Sequence, residues 1–455
     1  MRIDLRPVAV PDFGVPEEPP PIPETTHVRR CAETYRRAGS DWVVVYADRE
    51  HFANLMFLAG FEPRFEEALL LLGPSDRRVL VVGNEGRGYA PVARLPGLEV
   101  RLAQSLGLMG QDRSAQPSIE AVLRDSGLTG GHSVAIVGWK YLEAFEWPGE
   151  RRGMFVPHWL VAVLEKIAGD PAAIRDATPL LMHPETGLRS VVDADQIAAF
   201  EWAASRASAA VWRIVAGTRP GDTELRAASR MGYAGEPLSC HAMLASSEGP
   251  APVIGLRSPT ARALRRGDGV TTAIGYWGGL SCRAGLLAES DDAFLPVAKA
   301  YFAGLLAWYR TADIGISGGA LHEAVAGTLA RGGLRSALNP GHLVSYDEWS
   351  HSPVRPGSNE TLRSGMVFQV DIIPEPLRPG WALNCEDTVV FADAALRSEI
   401  EKRHPGTGAR IRARRAFVQT ALGVTLAESI LPLSNIPLCL PPFWLAPDRL
   451  LAPAP

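Results

Sequence analysis

The sequence predicts two domains: an α/β domain, followed by a domain in which a long helix precedes several strands. Segments with strand-like and helix-like patterns alternate from Val28 to Gly169, which is typical of an α/β domain. A long helix without internal Gly or Pro is predicted after Asp193, a residue suited to cap a helix N-terminus. The 455 residues are enough for two domains with separate cores.

A Pro-rich segment opens the chain and predicts an extended arm, because proline cannot sustain a helix or an inner strand. Such an arm could pack on a partner subunit or lie as a strap on its own subunit. The segments that follow are, in order, a helix at 29–39, a strand at 41–47, a helix at 49–60, strands at 66–73, 77–83 and 98–103, a helix at 118–127, a strand at 132–139 and a helix at 159–169.

Composition and charge exclude several classes of function. The formal net charge of -4 argues against nucleic-acid binding. The sequence has no apolar run of the length that a membrane span needs, and its N-terminus lacks the apolar core of a signal peptide. The 5 cysteines are scattered without a C-x-x-C pair, which indicates reduced thiols. We therefore expect a cytoplasmic protein that binds neither membranes nor nucleic acids.

Residues 339–393 carry the most informative pattern. Two segments within them, 366–373 and 386–391, are rich in Val, Ile and Phe and predict strands. Each has one carboxylate, Asp371 and Glu386, in otherwise apolar sequence. A carboxylate buried in such a strand costs free energy unless it is paired, hydrogen-bonded or bound to a metal.

Two histidines, His342 and His351, precede these strands in a loop-like segment. Together with the two carboxylates they form an acid/base or metal-ligand constellation. One ordinary salt-bridged carboxylate, one acid that caps a helix N-terminus and two surface histidines would explain the same residues equally well.

Four motifs in this stretch occur in a fixed order: GH, a His before Pro-Val, TLRSGMVFQVD and CEDTVVF. They resemble those of the creatinase, prolidase and methionine aminopeptidase superfamily, whose catalytic domain has the α+β "pita-bread" fold. The resemblance implies that His342, Asp371 and Glu386 fall on metal-ligand positions of that family. It implies that His351 falls on the histidine that contacts the scissile group.

The N-terminal half resembles the prolidase–creatinase branch of this superfamily. FLAGF at 57–61 occupies the place of a "YLTGF" turn in a domain that methionine aminopeptidases mostly lack. Arg189 matches an Arg at the start of the family's catalytic domain, although Val192 stands where Lys is usual. Members of the branch are usually dimers, so we expect a homodimer. The implied organisation is a Pro-rich arm at 1–27, an α/β domain at 28–188 and a pita-bread domain at 189–455 with a Pro-rich C-terminal tail.

The strongest departure from the family lies in a hairpin that is predicted to turn at Gly267–Asp268. Metal-dependent members have two aspartates there, and counting from Gly267–Asp268 places them on Ala273 and Ala284. Residues 271–283 contain no carboxylate. Because two cations need bridging carboxylates to offset their repulsion, we expect no dinuclear metal centre.

The cofactor prediction is therefore none, or a single divalent metal held by His342, Asp371 and Glu386. Creatinase hydrolyses a C–N bond without metal, but the place of its catalytic His falls near Gly255, where this sequence has no His. The remaining candidates for acid/base catalysis are His342 and His351, with the two carboxylates orienting them or a water.

Four further residues are candidates for substrate binding. Tyr276 and Trp277 lie on the hairpin and could stack on a substrate, or form an aromatic pair in the core. Arg283 lies beside the second alanine position. Arg64 follows the FLAGF turn and could bind a substrate carboxylate in the partner's site of a creatinase-like dimer, or form an ordinary surface ion pair.

We expect a hydrolase-like enzyme that cleaves a C–N bond of a small polar amide, amidine or Xaa-Pro-like substrate, without a dinuclear metal centre. Two alternatives remain open: a pita-bread pseudoenzyme that acts as a binding or assembly protein, and a lyase or tailoring enzyme. The expected partners are a small-molecule or short-peptide substrate and a second copy of the chain. The identity of the substrate does not follow from the sequence.

Overall fold

The chain folds as two units in the computed structural model, which describes residues 2–114, 116–143, 145–147, 153–249 and 251–454. The N-terminal unit is Ile22–Ser190, and the C-terminal unit combines Met1–Pro21 with Val191–Pro455. Within the described residues, no helix combines the length and apolar character needed to cross a membrane.

The strand β1 (Ile3–Pro7) belongs to the C-terminal unit. The elements of the N-terminal unit are, in chain order, α1 (Glu24–Ala38), β2 (Trp42–Ala47), α2 (Ala53–Ala59), β3 (Ala68–Gly73), β4 (Arg77–Val82), α3 (Asn84–Tyr89), β5 (Glu99–Leu102), α4 (Ile119–Asp125), β6 (Val134–Val137), α5 (His158–Ala168), β7 (Ile174–Asp176) and α6 (Pro179–Met182).

The N-terminal unit has a mixed sheet with strand order β5-β4-β3-β2-β6-β7. The strand β3 pairs antiparallel with β2 and β4, and the other neighbours pair parallel. Every residue of β2 and β3 is buried. Strands buried on both faces have nearly continuous apolar sequences, as WVVVYA and ALLLLG do. The predicted α/β class of this part of the chain is confirmed.

A buried histidine makes the stability of the N-terminal unit depend on pH. His27 on α1 is 2% exposed, and its Nδ1 lies 3.3 Å from the carbonyl oxygen of Phe57. Burial, followed by the charge of Arg30, lowers the pKa of His27 to about 4. The folded unit therefore holds this imidazole neutral at pH values where the unfolded chain protonates it.

The N-terminal unit is expected to lose up to about 3 kcal/mol of stability as the pH falls from 6.5 to about 4. The sign follows from proton uptake: the unfolded chain binds a proton in this window that folded His27 does not. Urea unfolding of the full chain at pH 7 and pH 4 measures the loss, and His27→Gln should remove it. The partly exposed His132 provides the control, since His132→Gln should keep the pH dependence of the wild type. An unchanged dependence in His27→Gln would contradict the assignment.

The remaining elements of the C-terminal unit are, in chain order, α7 (Ala194–Gly217), α8 (Glu224–Ala228), β8 (Leu238–Ser246), β9 (Gly269–Tyr276), β10 (Gly279–Leu286), α9 (Phe294–Thr311), α10 (Gly318–Arg331), β11 (Arg335–Ser336), β12 (His342–Leu343), β13 (Val367–Val370), β14 (Pro374–Glu375), β15 (Asn384–Phe391), α11 (Ala394–Arg403), α12 (Pro405–Thr420), β16 (Ile430–Pro432) and β17 (Arg449–Pro453).

The main sheet of the C-terminal unit has strand order β12-β13-β15-β10-β9-β8, and β16 adds to β15. These neighbours pair antiparallel. The helix α7 packs against β9 and β10. The predicted helix start is confirmed, because the side chain of Asp193 accepts a hydrogen bond from the backbone N–H of Gln196. The two predicted strands that carry Asp371 and Glu386 correspond to β13, which ends at Val370, and β15.

The two ends of the chain pair with each other inside the C-terminal unit. The strand β1 pairs antiparallel with β17, with Leu5 opposite Leu451. The Pro-rich segment at the N-terminus is thus not only an extended arm, because it begins with a strand that covers part of the C-terminal tail. Leu450 and Leu451 are fully buried, so the tail completes the core of its own chain.

The hairpin of β9 and β10 turns at Trp277–Gly278 and not at Gly267–Asp268, which leads into β9. Gly278 has φ 100°, a conformation that favours glycine. A Cβ atom there would lie 1.9 Å from Cδ1 of Phe200 on α7. The glycine therefore allows the hairpin tip to approach the helix closely.

A buried ion pair fixes the back of the sheet. Nη2 of Arg283 lies 2.8 and 2.9 Å from the two carboxylate oxygens of Asp387, and the Arg283 side chain is 0% exposed. The guanidinium also donates to the carbonyl oxygens of Ile436 and Cys439, each at 2.6 Å. Asp387 accepts a further hydrogen bond from the backbone N–H of Leu438. The pair therefore ties the C-terminal segment to β10 and β15.

Candidate active site

A cavity of about 740 Å³ lies within the C-terminal unit. Side chains from β8, β9, β10 and β15 form part of its wall, and residues from the loops that follow β12 and β13 form another part. Its volume falls within the range of small-molecule sites, which is about 300–1,000 Å³. The cavity is therefore large enough for a substrate of modest size.

Three of the predicted site residues meet in this cavity. His342 lies on β12, Asp371 directly after β13, and Glu386 on β15, and all three are buried. One ligand atom from each lies within 4.8 Å of the other two. The strand register explains this arrangement. The strands β13 and β15 are antiparallel and Val370 pairs with Asp387, so Asp371, which follows Val370, lies beside Glu386, which precedes Asp387. Because side chains alternate along a strand, Asp387 points to the opposite face and binds Arg283.

A third carboxylate, which sequence reasoning missed, belongs to the same cluster. Oε1 of Glu348 lies 3.2 Å from Nε2 of His342, closer than Oε1 of Glu386 at 3.9 Å. The ring of Trp349 stacks on the imidazole, with ring centroids 4.1 Å apart. The only sequence feature that could have indicated Glu348 is its position beside Trp349, six residues after His342. That feature does not show how the loop folds.

The loop folds back because its two ends pair. The backbone N–H of Leu343 donates to the carbonyl oxygen of His351 at 2.7 Å, and Ser350 N–H donates back to Leu343 at 3.0 Å. This short antiparallel bridge turns Glu348 and Trp349 toward His342. His342 is thereby held between an acidic and an aromatic side chain.

The cluster holds protons more tightly than isolated side chains would. Burial raises the pKa of Asp371 above its usual value. Burial, together with the charges of Asp371 and Glu348, raises the pKa of Glu386 well above its usual range. Burial opposes the charged form of His342, but the Glu348 carboxylate and the charge of Asp371 outweigh it and raise the pKa of His342. A proton shared within such a cluster is available for transfer.

The two alanines at the predicted bridging positions, Ala273 and Ala284, both line the cavity. Ala273 pairs with Cys282, and Ala284 pairs with Thr271, so the four side chains form a patch on one face of the hairpin. None of the four is a carboxylate. These four positions therefore offer no carboxylate to a second cation. The three atoms within 4.8 Å of one another fit a single divalent cation.

The structure does not bring His351 into the cluster. Its Nε2 lies 3.4 Å from Oε2 of Glu360, and His351 is not among the residues that line the cavity. The pairing of its backbone with Leu343 directs the side chain away from His342.

Three predicted substrate-binding residues also lie outside the lining of the cavity. Tyr276 is fully buried and packs edge-on against Trp202, and Trp277 packs edge-on against Tyr346. Both therefore belong to the aromatic packing between the hairpin and its neighbours. Arg283 pairs with Asp387 on the other face of the sheet, so the prediction that it binds substrate is not supported by its contacts.

Arg64, the fourth predicted substrate-binding residue, belongs to the N-terminal unit. Its Nε lies 3.2 Å from Oε2 of Glu62, and its Nη2 donates to the hydroxyl of Tyr89 at 2.9 Å. These contacts form a local ion pair and hydrogen bond. A role in the site of a partner subunit stays a prediction.

Solved structures of peptidases are similar to this chain. A prolidase from Pyrococcus horikoshii OT3 is 16% identical and has a TM-score of 0.62, with 80% of this chain and 95% of that chain covered. An X-Pro aminopeptidase from Thermotoga maritima MSB8 is 16% identical and has a TM-score of 0.63, with the same coverage of 80% and 95%. The dipeptidase PepE from Mycobacterium ulcerans is 20% identical and has a TM-score of 0.59, with 82% and 94% covered.

No protein-family model matches the sequence, and no curated protein matches it. The evidence for the class of this protein is therefore the similarity of its fold to these solved structures. The chain has the pita-bread fold of prolidases and Xaa-Pro aminopeptidases, with an α/β N-terminal domain. The predicted resemblance to the prolidase–creatinase branch and the predicted fold class are confirmed at this level.

Proposed function

We propose that this chain is a hydrolase-like enzyme that cleaves a C–N bond of a small amide, amidine or Xaa-Pro-like substrate, without a dinuclear metal centre. The observation that carries the proposal is the buried cluster of His342, Asp371 and Glu386 at a cavity of about 740 Å³. Its fold is that of prolidases and Xaa-Pro aminopeptidases. Burying two acids and a histidine together costs free energy, and such clusters of buried ionisable groups are typical of functional sites.

The proposed reaction adds water to the carbon of the scissile C–N bond. Oδ1 of Asp371 is buried and has no hydrogen-bond partner among the residues that the structure describes. It orients the attacking water and accepts its proton as the C–O bond forms. Protonated His342 donates its proton to the nitrogen as the C–N bond breaks, so the amine leaves neutral.

Glu348 and Trp349 position His342 for this step. The carboxylate of Glu348 stabilises the imidazolium, and the stacked indole limits rotation of the ring. The Nδ1 side of the imidazole faces the carbonyl oxygen of Leu343 at 3.3 Å. The proton on the Nε2 side therefore faces the carboxylates of the cluster.

A single divalent cation bound by His342, Asp371 and Glu386 would be compatible with the same fold. Such a cation would supply Lewis-acid polarisation of the substrate oxygen and would lower the pKa of a bound water. The homodimer and the cytoplasmic location expected from the sequence stay part of the proposal.

The direct test is a hydrolysis assay with Xaa-Pro dipeptides, small amides and amidines, carried out before and after dialysis against EDTA. We expect release of the amine product with at least one substrate class, at a rate that EDTA does not reduce. Activity that EDTA abolishes and that one equivalent of Mn²⁺ or Co²⁺ per chain restores would favour the single-cation form of the site, and restoration that requires two equivalents would contradict the proposal. A complete lack of turnover, with ligands still bound, would favour the non-hydrolytic alternative.

A further inference from the structure

A groove with a volume of about 430 Å³ lies in the C-terminal unit, between α11, α12 and the segment 428–431. It is separate from the candidate active site, because the two share no lining residue. Its volume also falls within the range of small-molecule sites, which is about 300–1,000 Å³. The groove therefore has room for a small ligand of its own.

The floor of this groove is apolar. Ile400 on α11, Ile411 on α12 and Leu431 on β16 line it, and all three belong to the buried residues of the chain. An apolar ligand body that lies over this floor leaves water and gains free energy.

Three arginines and two acids surround the floor. Nη2 of Arg397 lies 3.1 Å from Oε2 of Glu428, and Arg412 pairs with Glu401. Arg415 makes no ion pair with another described residue, since its hydrogen bonds go to backbone carbonyl groups. The lining therefore carries one positive charge that no acid of the groove offsets.

One nitrogen of Arg415 holds the side chain in place. Nη1 donates to the carbonyl oxygens of Ala427 and Ile430, whereas Nε and Nη2 make no hydrogen bond to another described residue. The N–H groups on Nε and Nη2 form the fork that matches the two oxygens of a carboxylate. Burial, followed by the charge of Arg397, lowers the pKa of Arg415, so a bound anion would stabilise the charged guanidinium.

We propose that this groove binds a small monocarboxylate with an apolar body. The carboxylate accepts hydrogen bonds from Nε and Nη2 of Arg415, and the apolar body lies over the floor. The exposed acids Glu401 and Glu428 disfavour a dianion such as a phosphate ester, because each adds a charge of the same sign. The inference does not rest on the proposed hydrolase function, since the groove lies outside that cavity.

The ligand class is tested by isothermal titration calorimetry with EDTA-treated full-length protein. The probes are 3-phenylpropanoate, the neutral 3-phenylpropanol and the dianionic 2-phenylethyl phosphate. We expect the alcohol to bind at least about tenfold more weakly than the carboxylate, the effect of losing one charge-assisted hydrogen bond. We expect the phosphate ester to bind more weakly than the carboxylate as well. A carboxylate that does not bind, or that binds no better than either other probe, would overturn the proposal.

The contribution of the guanidinium fork is measured with Arg415→Lys. Lysine retains the positive charge but loses the paired donors, so 3-phenylpropanoate should bind about tenfold more weakly. The control is Arg266→Lys, at an arginine whose side chain is 61% exposed, and it should bind like the wild type. An unchanged affinity in Arg415→Lys would exclude this guanidinium as the anion-binding group.

A second variant leaves Arg415 and its hydrogen bonds in place. Ser398 is exposed on α11 and lines the groove, so Ser398→Phe should fill part of the space and weaken 3-phenylpropanoate at least about tenfold. Ala395 is exposed on the same helix but lies outside the lining, and Ala395→Phe should retain the wild-type affinity. If Ser398→Phe binds like the wild type, or if Ala395→Phe binds equally weakly, the groove is not the binding site.

The same titrations separate this groove from the candidate active site. Ala273→Leu changes the lining of the active-site cavity and should leave the affinity for 3-phenylpropanoate unchanged. Affinity that is lost in Ala273→Leu and retained in Ser398→Phe would place the carboxylate in the active-site cavity and overturn the proposal.

Discussion

Replacing His342 by glutamine is expected to reduce turnover about a thousandfold, the middle of the range for loss of a general acid. The expected cause is the loss of the proton that His342 donates to the leaving nitrogen. Glutamine has a similar size and can place its amide group near the Glu348 carboxylate, so the fold should persist. Steady-state kinetics on the best substrate of the amide and amidine panel measure the effect.

The control for this prediction is His322→Gln on α10, a histidine outside the cavity lining. It should retain wild-type turnover. Circular dichroism and thermal unfolding of both variants should match the wild type. Turnover by His342→Gln within about threefold of the wild type would exclude His342 as the proton donor.

Replacing Arg283 by methionine is expected to destabilise the C-terminal unit by about 3–5 kcal/mol, the range for a buried ion pair that loses one partner. Asp387 would be left buried, and the carbonyl groups of Ile436 and Cys439 would lose their donor. Urea unfolding monitored by tryptophan fluorescence gives the change in the free energy of unfolding.

Arg266→Met provides the comparison, because the Arg266 side chain is 61% exposed and pairs with Glu289 at the surface. Its loss should cost about 0.5 kcal/mol or less. If Arg283→Met were as stable as Arg266→Met and instead raised the KM of the best substrate in the hydrolysis panel, the substrate-binding role predicted for Arg283 from the sequence would be supported. The structural interpretation would then be wrong.

The central part of the site was predictable because its signals are local. Asp371 and Glu386 stand out as carboxylates in apolar strands, and the motifs around them fix their order along the chain. Strand alternation would also have placed Arg283 correctly, since it lies between Cys282 and Ala284 and must point to the opposite face. Its proximity in sequence to a predicted ligand position was therefore misleading.

The parts that could not be predicted depend on long-range or loop geometry. Glu348 reaches His342 only because the Leu343–His351 bridge folds the loop back, and the same bridge removes His351 from the cluster. The pairing of β1 with β17 joins residues almost the full length of the chain apart. No local pattern specifies such a pairing, because its free energy comes from tertiary contacts.

The measurement that tests the central claim most directly is the metal content of the purified protein, determined after dialysis with Mn²⁺, Fe²⁺, Co²⁺ or Zn²⁺ and again after EDTA. Because Ala273 and Ala284 supply no bridging carboxylates, fewer than two equivalents of metal per chain are expected, with turnover independent of the metal content. Two equivalents per chain that survive chelation, together with turnover that depends on them, would contradict a site without a dinuclear metal centre.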